Sequence, residues 1–534
     1  MPGTFSHQFD TPSYKGTITV PTGLFIGGAF VDGSSNTTID VLNPATGKLL
    51  TKISEATPQD VDIAVKAAQD AFDTTWGLNA SGAKRGELLY KLAAVMDAAR
   101  DELSALEALD NGKTFGWAKN VDVDFSVAVV KYYAGWADKI TGQTLETDER
   151  KLVYTRHEPI GVVGQIIPWN FPCKCCISVQ CIRAHIMRSA DVCVENCSCF
   201  GHREHHRLEG FSIIVYLSTK SLTHHKPSEF TPLSALRMCA MIQEAGFPPG
   251  VVNVITGYGN TVGAAISSHM DIMKVAFTGS TIVGRKIMEA AAKSNLKPVT
   301  LELGGKSPNI IFNDADIDNA IEWTAHGIYW NHGAACCAGS RIFVQSGIYD
   351  KFLEKFTERS KSIRIGDPFG QDIDQGPMSS EAQFNRIMGY IESGKAEGAT
   401  VHLGGDRFGT EGYYINPTIF TNTTPDMKIV KEEIFGPVGV IIKFEDEDDV
   451  VRQANNTLYG LAAGVFSQDI DRAIRTAHRV QAGTIWVNCF HNFGPNIPFG
   501  GYRQSGIGRE MGEYALHHYT NVKAVHVNIG HRLA

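Results

Sequence analysis

Apolar residues recur at helical spacing in the first quarter of the chain. In the segment "ATPQDVDIAVKAAQDAF", four of them fall on one helical face: Val61, Val65, Ala68 and Phe72. Thr57 stands at the N-cap position and Pro58 at the first helical position, so we expect an amphipathic helix to begin there. The longer segment "GELLYKLAAVMDAARDELSALEAL" repeats the pattern, and together the two segments predict a helical layer.

Short runs of β-branched and apolar residues then alternate with helical patterns. Strands are predicted at 152–156, 161–167, 251–255 and 274–279, with helices "PLSALRMCAMIQEAG" and "GRKIMEAAAK" beside the last two. Such alternation is typical of a parallel, doubly wound sheet. It recurs from "SPNIIF" through "GTIWVN", which predicts a second α/β domain. The final segment "YTNVKAVHVNI" alternates apolar and polar residues like an edge strand that seeks a partner.

The composition narrows the function classes. The 534 residues are 43% hydrophobic and 20% charged, with a formal net charge of −8, which is ordinary for a globular protein of two or three domains. No basic excess favours nucleic acid or anionic lipid as a partner. The N-terminus has neither a signal-peptide nor a transit-peptide pattern, and the first arginine is Arg85. We therefore expect a cytosolic protein that acts on small molecules.

Three loops hold residues with candidate chemistry, and each has a structural alternative. In "FTGSTIVGR", Gly279 and Gly284 would let backbone N–H groups approach a phosphate, unless the turn simply needs glycine. Glu302 in "VTLELGGKSPNII" is a carboxylate among apolar residues, which suits a general base, unless its side chain points to solvent. In "NHGAACCAGSR", Cys336 and Cys337 are candidate nucleophiles or a pair of small buried residues.

Two further motif-like passages do not support metal sites. "DADIDN" begins like a calcium loop but has Asn319 where glycine is needed, so we interpret it as a helix start. His517 and His518 are adjacent and cannot share a helix face, which argues against a metal site there.

Six ordered motifs together resemble the NAD(P)-dependent aldehyde dehydrogenase superfamily: "PWNFP", "FTGSTIVG", "LELGGKSPN", "CCAGSR", "EEIFGPV" and "PFGGYRQSGIGRE". The resemblance runs from about residue 24 to the C-terminus, apart from one segment. It implies two Rossmann-like α/β domains with a small β oligomerisation arm. It also implies that Cys336 is the nucleophile, with Cys337 packed behind it, and that His332 is not a catalytic base. Asn170 and the Cys336 backbone N–H would then hold the oxyanion, and Glu302 would activate the hydrolytic water.

The resemblance also implies a cofactor site. Lys226 and Glu229 match adenosine-ribose contacts and Ser280 a pyrophosphate contact, while Glu433 and Phe435 match a clamp on the nicotinamide ribose. Because a carboxylate at 229 would repel a 2′-phosphate, NAD is expected rather than NADP. Five further positions are expected against the cofactor: Ile167, Trp169, Gly279, Gly284 and Leu303. The aromatic residues that match substrate-tunnel positions imply an apolar channel for aliphatic or aromatic aldehydes: Trp169, Phe171, Phe493 and Phe499.

Domain roles follow from the same resemblance. Segments 1–142 and 160–303 are expected to form the NAD-binding domain, and 304–517 the catalytic domain. Segments 143–159 and 518–534 are expected to be oligomerisation strands of a homodimer or homotetramer. Glu510 in "GRE" matches a second active-site carboxylate, which would relay protons.

One segment departs from the family pattern. The stretch 173–225 holds seven of the eleven cysteines and six of the eighteen histidines, and it replaces the expected Trp-Lys, Pro-Ala-Leu-Ala and Gly-Asn pattern. We interpret it as a mistranslated or unspliced part of the gene model. Made as written, the chain is expected to lose a helix and a central strand, to fold poorly and to bind NAD weakly. A zinc module is the rival interpretation of this stretch, although the spacings of its cysteines and histidines are irregular. For the whole chain, the sequence also leaves open a specialised dehydrogenase, such as a betaine-aldehyde type, and an inactive family member.

Overall fold

The computed structural model describes residues 2–166, 168–172, 191–193, 231–530 and 532–533. The helices of this part have the following bounds: Pro58–Thr74, Gly82–Ala98, Arg100–Asn111, Phe115–Trp117, Asp124–Ala134, Leu233–Glu244, Ala264–Ser268, Thr281–Lys293, Ile317–Tyr329, Tyr349–Lys361, Glu381–Ala396, Lys428–Lys431, Glu447–Asn455 and Ile470–Arg479. Two π-helical turns, Ala118–Val123 and Gly259–Gly263, each lead into a helix. None of the described helices is long and apolar enough to cross a bilayer.

The start of the first helix is set by the predicted cap. The Thr57 side chain accepts from the Asp60 backbone N–H and the Asp60 carboxylate accepts from the Thr57 N–H, so both donors are satisfied. Val61, Val65 and Ala68 are buried, and Phe72 is partly buried. The second predicted helix is in fact two helices, which break at Ala99 between Gly82–Ala98 and Arg100–Asn111.

The first large sheet has eight strands, and parallel pairing dominates its centre. Their order across the sheet is Gly506–Ile507, Val299–Glu302, Lys274–Thr278, Val163–Ile166, Asp191–Cys193, Val252–Val254, Leu24–Ile26 and Ala29–Val31. Helices such as Thr281–Lys293 connect successive parallel strands, as the sequence pattern predicts.

The central position of this sheet is filled. Asp191–Cys193 pairs in parallel with Val163–Gln165 on one side and with Val252–Val254 on the other. The expectation that the departure at 173–225 removes a central strand is therefore wrong, because three residues of that segment supply the backbone hydrogen bonds the sheet needs. The expectation of a lost helix falls on residues outside the described part of the chain.

The second large sheet has seven strands. Their order is Thr400–Leu403, Thr418–Thr421, Val438–Phe444, Arg341–Gln345, Pro308–Ile311, Ala462–Phe466 and Thr484–Val487. All pairs are parallel except the first, at the Thr400–Leu403 edge. Fully buried residues such as Ile310, Val344 and Val465 fill both faces, as a parallel sheet covered by helices requires. The predicted doubly wound α/β architecture is confirmed for both sheets.

A third, smaller sheet joins distant parts of the chain. Strand Thr520–Asn528 pairs antiparallel with Lys151–Pro159 over nine residues, and Thr144–Leu145 pairs on the other side. The predicted C-terminal strand thus finds its partner within the chain. Two antiparallel hairpins that the sequence pattern does not predict complete the fold: Thr4–Asp10 with Lys15–Pro21, and Thr38–Asn43 with Lys48–Ser54.

Candidate active site

The two adjacent cysteines lie on a loop between helix Ile317–Tyr329 and strand Arg341–Gln345. The helix gives way to a tight turn at Trp330–Gly333, where Asn331 and His332 adopt φ values of 48° and 57°. Such left-handed backbone at non-glycine residues costs free energy and often marks a functional loop. After this turn, Cys336 is partly exposed, whereas Cys337 is buried.

The two thiols have different surroundings. The Cys337 sulfur lies 3.4 Å from Nε2 of buried His491 and packs in a cluster with Trp486 and Phe490. A hydrogen bond with Cys337, burial and the nearby Glu433 carboxylate raise the pKa of the Cys336 thiol well above its usual value. Cys336 is therefore a thiol near neutral pH in this structure, and it needs a base before it can act as a nucleophile.

Asn170 is fastened to the cysteine loop from two directions. Its side-chain Nδ2 donates to the Ala334 carbonyl oxygen at 2.9 Å, two residues before Cys336. Its backbone carbonyl accepts from Asn331 Nδ2 at 2.9 Å and from Lys113 Nζ at 3.1 Å. A side-chain amide has two N–H donors, so one donor remains beyond the bond to Ala334. The predicted oxyanion donor thus lies beside the predicted nucleophile loop.

Glu302 ends a strand of the first sheet and is 6% exposed. A Cβ built on Gly500 would lie 2.9 Å from Glu302 Oε1, so the carboxylate points toward the loop that carries Phe499. Phe499 packs at the edge of the same apolar cluster as Cys336. The carboxylate is therefore directed inward and not to solvent.

Gly305 brings this strand end against the cysteine loop. A Cβ at Gly305 would lie 2.2 Å from the Cys336 carbonyl oxygen, so only glycine allows this approach. The Gly305 N–H donates to Glu433 Oε1 at 3.0 Å. Burial raises the pKa of Glu433 to about 7, against the opposing effects of the Gly305 N–H, Arg386 and Lys306. Burial also lowers the pKa of Lys306 to about 7.

The predicted phosphate loop leads into a helix, and the N–H groups of its two glycines are already bonded. The Gly279 N–H donates to the Glu302 carbonyl at 2.9 Å and the Gly284 N–H to the Ser280 carbonyl at 3.0 Å. Gly284 is glycine for another reason, because a Cβ there would lie 2.8 Å from a Leu303 methyl group. Ser280 is the N-cap of helix Thr281–Lys293, and its hydroxyl makes no capping bond. The first-turn N–H groups after Ser280 thus remain for an anion.

Two more predicted cofactor residues lie close together. The Trp169 and Phe435 rings meet edge to face with centroids 5.5 Å apart. Phe435 has a φ of 63°, and its carbonyl accepts from Gln383 Nε2 at 2.8 Å, which holds this unusual backbone in place. The predicted contacts Ile167, Lys226 and Glu229 lie outside the described residues.

The predicted tunnel aromatics border a cavity of about 580 Å³. Phe493 lines it directly, and the Phe171 ring lies 5.0 Å from that of Trp330, which also lines it. The Phe493 ring lies 5.5 Å from Phe499 and thereby links the cavity wall to the Cys336 cluster. Trp169 lies instead against Phe435, on the predicted cofactor side.

Sequence reasoning missed several residues of this region. Trp330 and His491 form part of the cavity wall with rings 4.7 Å apart, and Lys113 is buried beside Asn170. Trp330 could have been found from its place just before the cysteine loop. Lys113 gives no signal, because a lysine in "DNGKTF" ordinarily faces solvent.

Three further expectations concern residues to which the sequence assigns no catalytic or metal-binding role. His332 is buried, and burial lowers its pKa to about 3, so its imidazole is neutral near pH 7 and a weak proton acceptor. Asp316 caps helix Ile317–Tyr329 through the Asn319 N–H, which confirms the interpretation of "DADIDN" as a helix start. In the described part of the chain, no cluster of three or more His, Cys, Asp or Glu side chains could hold a metal. The zinc module considered for 173–225 concerns residues outside that part.

Chemically, the site combines a partly exposed thiol, an amide donor and inward carboxylates beside an aromatic cavity. This set suits acyl chemistry on a carbonyl compound, in which the thiol forms a covalent intermediate. Glu510 is a further buried acidic residue. Its backbone N–H and carbonyl pair with those of Phe499, with N–O distances of 2.7 and 2.6 Å.

Known proteins share both the sequence and this architecture. The chain is 65% identical over 533 residues to an aldehyde dehydrogenase of Agaricus bisporus, covering 100% of both chains. It is 52% identical to one of Emericella nidulans, covering 96% of each. Among solved structures, the NAD+ complex of aldehyde dehydrogenase from Bacillus cereus matches with a TM-score of 0.87 and 44% identity, over 95% of this chain and 97% of that one.

The family comparison agrees with these relatives. The model described as the aldehyde dehydrogenase family matches residues 30–185 and 212–525, on both sides of a gap within the aberrant segment. The match includes Asn170, Glu302, Cys336 and Glu433. The chain therefore belongs to the aldehyde dehydrogenase family.

Proposed function

We propose that this chain oxidises an aldehyde to the carboxylic acid with NAD+, through a thioester on Cys336. The observation that carries the proposal is the fastening of Asn170 to the nucleophile loop, with Nδ2 2.9 Å from the Ala334 carbonyl. The bonded carbonyl is two residues before Cys336, a partly exposed thiol whose neighbour, Cys337, is buried and in contact with His491.

The first step is attack of the Cys336 sulfur on the aldehyde carbon. Because its surroundings raise the pKa of the thiol, a base has to take the proton. That proton would pass to water and be relayed by Glu510. Glu302, which is buried and directed toward the Phe499 loop that packs with Cys336, would later activate the water that hydrolyses the thioester.

The oxyanion formed in this step needs donors. The second N–H of the Asn170 amide and the backbone N–H of Cys336 are proposed for this role. Removing one such donor typically slows catalysis by about 10² to 10³, so Asn170 should matter nearly as much as the nucleophile.

The described residues fit a dinucleotide cofactor. Helix Thr281–Lys293 begins without a side-chain cap after Ser280, and such a start attracts the pyrophosphate. Glu433 would accept hydrogen bonds from ribose hydroxyls, with Phe435 held beside it in a strained backbone conformation. When bound, the nicotinamide ring accepts the hydride released from the aldehyde carbon. The preference for NAD over NADP rests on Glu229, from sequence resemblance alone.

The cavity indicates the substrate class. Aromatic side chains of Trp117, Trp330 and Phe493 line one part of it, and the ring of Phe171 packs on Trp330. Another part is lined by the charged residues Arg100, Asp124 and Lys131. The aromatic part favours aldehydes with an aliphatic or aromatic body.

The three larger sheets support the roles that we propose for separate segments of the chain. We propose that segments 1–142 and 160–303 bind the cofactor, and that 304–517 carry the nucleophile. We propose further that strands in 143–159 and 518–534 mediate a homodimer or homotetramer in the cytosol. The eight-stranded, seven-stranded and three-stranded sheets correspond to these three parts, apart from the edge strand Gly506–Ile507.

The direct test is an aldehyde panel assayed with NAD and with NADP, read by absorbance of the reduced nicotinamide. We expect oxidation of aliphatic or aromatic aldehydes, faster with NAD at low cofactor concentration. Absence of turnover with every aldehyde, in protein that is folded by circular dichroism, would refute the proposal.

A further inference from the structure

A buried cluster of three ionisable side chains lies beside the Asn170 backbone, and burial raises the pKa of one of them, Glu107, to about 7. Lys113 Nζ contacts Glu107 Oε1 at 3.1 Å and is also hydrogen-bonded to Asp122 Oδ2. The side chains of the three residues are 2%, 0% and 3% exposed, respectively, so water does not screen them. Glu107 comes from helix Arg100–Asn111 and Asp122 from the π-helical turn Ala118–Val123.

The third oxygen partner of Lys113 belongs to the proposed active site. Lys113 Nζ donates to the Asn170 backbone carbonyl at 3.1 Å, and it lies 4.8 Å from the centre of the Phe171 ring. The Asn170 carbonyl also accepts from Asn331 Nδ2, which donates in addition to Ala334. The Lys113 ammonium and Asn331 of the cysteine loop therefore both hold the same backbone carbonyl, that of Asn170.

Stability alone is a weak explanation for this cluster. Taking two carboxylates and an ammonium out of water costs free energy that their attraction often only balances. What the cluster does provide is a fixed, desolvated cation at a defined point, and a cation in such surroundings makes a strong hydrogen bond to a carbonyl. A misplacement of about 1 Å in a catalytic group costs on the order of 10² in rate, so fixing Asn170 has kinetic value.

We propose that Lys113 is a positioning residue for Asn170, and that Glu107 and Asp122 hold its ammonium in place. This inference rests on the proposed function, in which Asn170 stabilises the oxyanion. Lys113 itself touches neither the aldehyde nor the cofactor. Its effect on the reaction therefore passes through Asn170.

A double-mutant cycle tests the inference. Lys113→Met, Asn170→Ala and the combined variant are compared in kcat, normalised to folded protein, and in KM for the aldehyde. Lys113→Met should lower kcat by about 10- to 100-fold with KM changed less than about threefold. In the Asn170→Ala background the same substitution should change kcat by less than about twofold, because the residue it positions is gone. Lys113→Arg, which keeps the cation, should restore part of the rate.

A matched control is available nearby. Lys119→Met removes a partly exposed lysine that pairs with Asp101 at 2.7 Å, and it should leave kcat unchanged. If Lys113→Met does not fold, a triple variant takes its place in the cycle. This variant carries Glu107→Gln, Lys113→Met and Asp122→Asn, and so leaves no buried charge without a partner.

The possible results separate the two hypotheses. If Lys113→Met, or the triple variant, lowers kcat by the same factor with and without Asn170, the role is structural and the inference is wrong while the proposed function stands. An unchanged kcat in Lys113→Met also overturns it. If Asn170→Ala itself keeps the parental kcat, the oxyanion role fails and the inference falls with it.

Discussion

The Cys337 sulfur lies 3.4 Å from Nε2 of His491, and His491 Nε2 is in turn 3.3 Å from the Cys337 carbonyl oxygen. Cys337 is 3% exposed, so it is enclosed by protein. Cys336, its neighbour, is partly exposed. The two thiols thus have opposite environments although they are adjacent in sequence.

This difference predicts the outcome of removing each thiol. Cys336→Ala should abolish aldehyde oxidation, because no other partly exposed thiol lies on this loop. Cys337→Ala should keep most of the activity and lose some stability, since the change removes a buried sulfur and its contact with His491. Steady-state rates and thermal melts of the two variants measure both effects. Comparable activity in the two variants would refute the assignment of Cys336 as nucleophile.

The second prediction concerns the carboxylate at the strand end. Glu302→Gln keeps the shape of the side chain but cannot accept the proton of the hydrolytic water. If Cys336 still forms the thioester, the variant should release about one NADH per site in a burst and then turn over slowly. Stopped-flow absorbance with excess aldehyde measures the burst. A folded variant with neither burst nor turnover would place the role of Glu302 before the oxidation step.

Much of this fold could be predicted from local pattern. Thr57 and Pro58 fix the first helix, and alternating strand and helix periods fix the two parallel sheets. The break at Ala99 has no local signal because "DAARDEL" contains neither proline nor glycine, so tertiary packing decides where one helix ends. The strand Asp191–Cys193 has no local sequence signal either, because three residues are too few to show a strand period.

The site was predictable where chemistry depends on rare residue types in a motif. Asn170 bonds to the cysteine loop although the two come from distant parts of the chain, whereas the roles of Cys336, Glu302 and Glu433 stay predictions. The Lys113 cluster could not be predicted, because only the fold removes its three charges from water. Gly284 shows that a glycine in a phosphate-loop pattern also has a packing reason, because a Cβ there would meet Leu303.

The third prediction concerns the C-terminal strand. Thr520–Asn528 covers Lys151–Pro159 along nine residue pairs, and Val522 and Val527 on it are exposed. Deleting the residues after Tyr519 would uncover the edge of Lys151–Pro159, so we expect monomers or aggregates. Light scattering after size exclusion measures the mass, and a chain that lacks only 531–534 is the control. A truncated chain that keeps the parental oligomer would place the interface elsewhere.

The fourth prediction concerns the transcript. The family model leaves a gap at 186–211, inside the cysteine-rich stretch 173–225 that departs from the family pattern. We expect the mature message to encode a shorter segment here, and the shorter protein to bind NAD more tightly than the chain as written. Sequencing of complementary DNA and calorimetric titration of both proteins test this. A message that encodes the stretch in frame, and yields an active enzyme, would contradict it.

The fifth prediction uses the carboxylate that contacts Gly305. Burial raises the pKa of Glu433 to about 7 in the structure, so near pH 6 it is mostly protonated and near pH 8 mostly ionised. An ionised carboxylate accepts hydrogen bonds from both ribose hydroxyls, whereas the protonated acid accepts less well. NAD affinity should therefore rise with pH through about 7, by up to about tenfold between pH 6 and 8 if only the ionised form binds.

Glu433→Gln should remove this pH dependence, because the amide does not titrate in this range. The matched control is Glu432→Gln, an exposed neighbour whose carboxylate accepts from the Tyr390 hydroxyl at 2.8 Å and which should keep the parental profile. Calorimetric titration of NAD at both pH values, with correction for buffer ionisation, gives the affinity and the number of protons released. Binding near pH 6 should release close to one proton in the parental protein and none in Glu433→Gln. An equal pH dependence in Glu433→Gln would assign the titrating group to another residue.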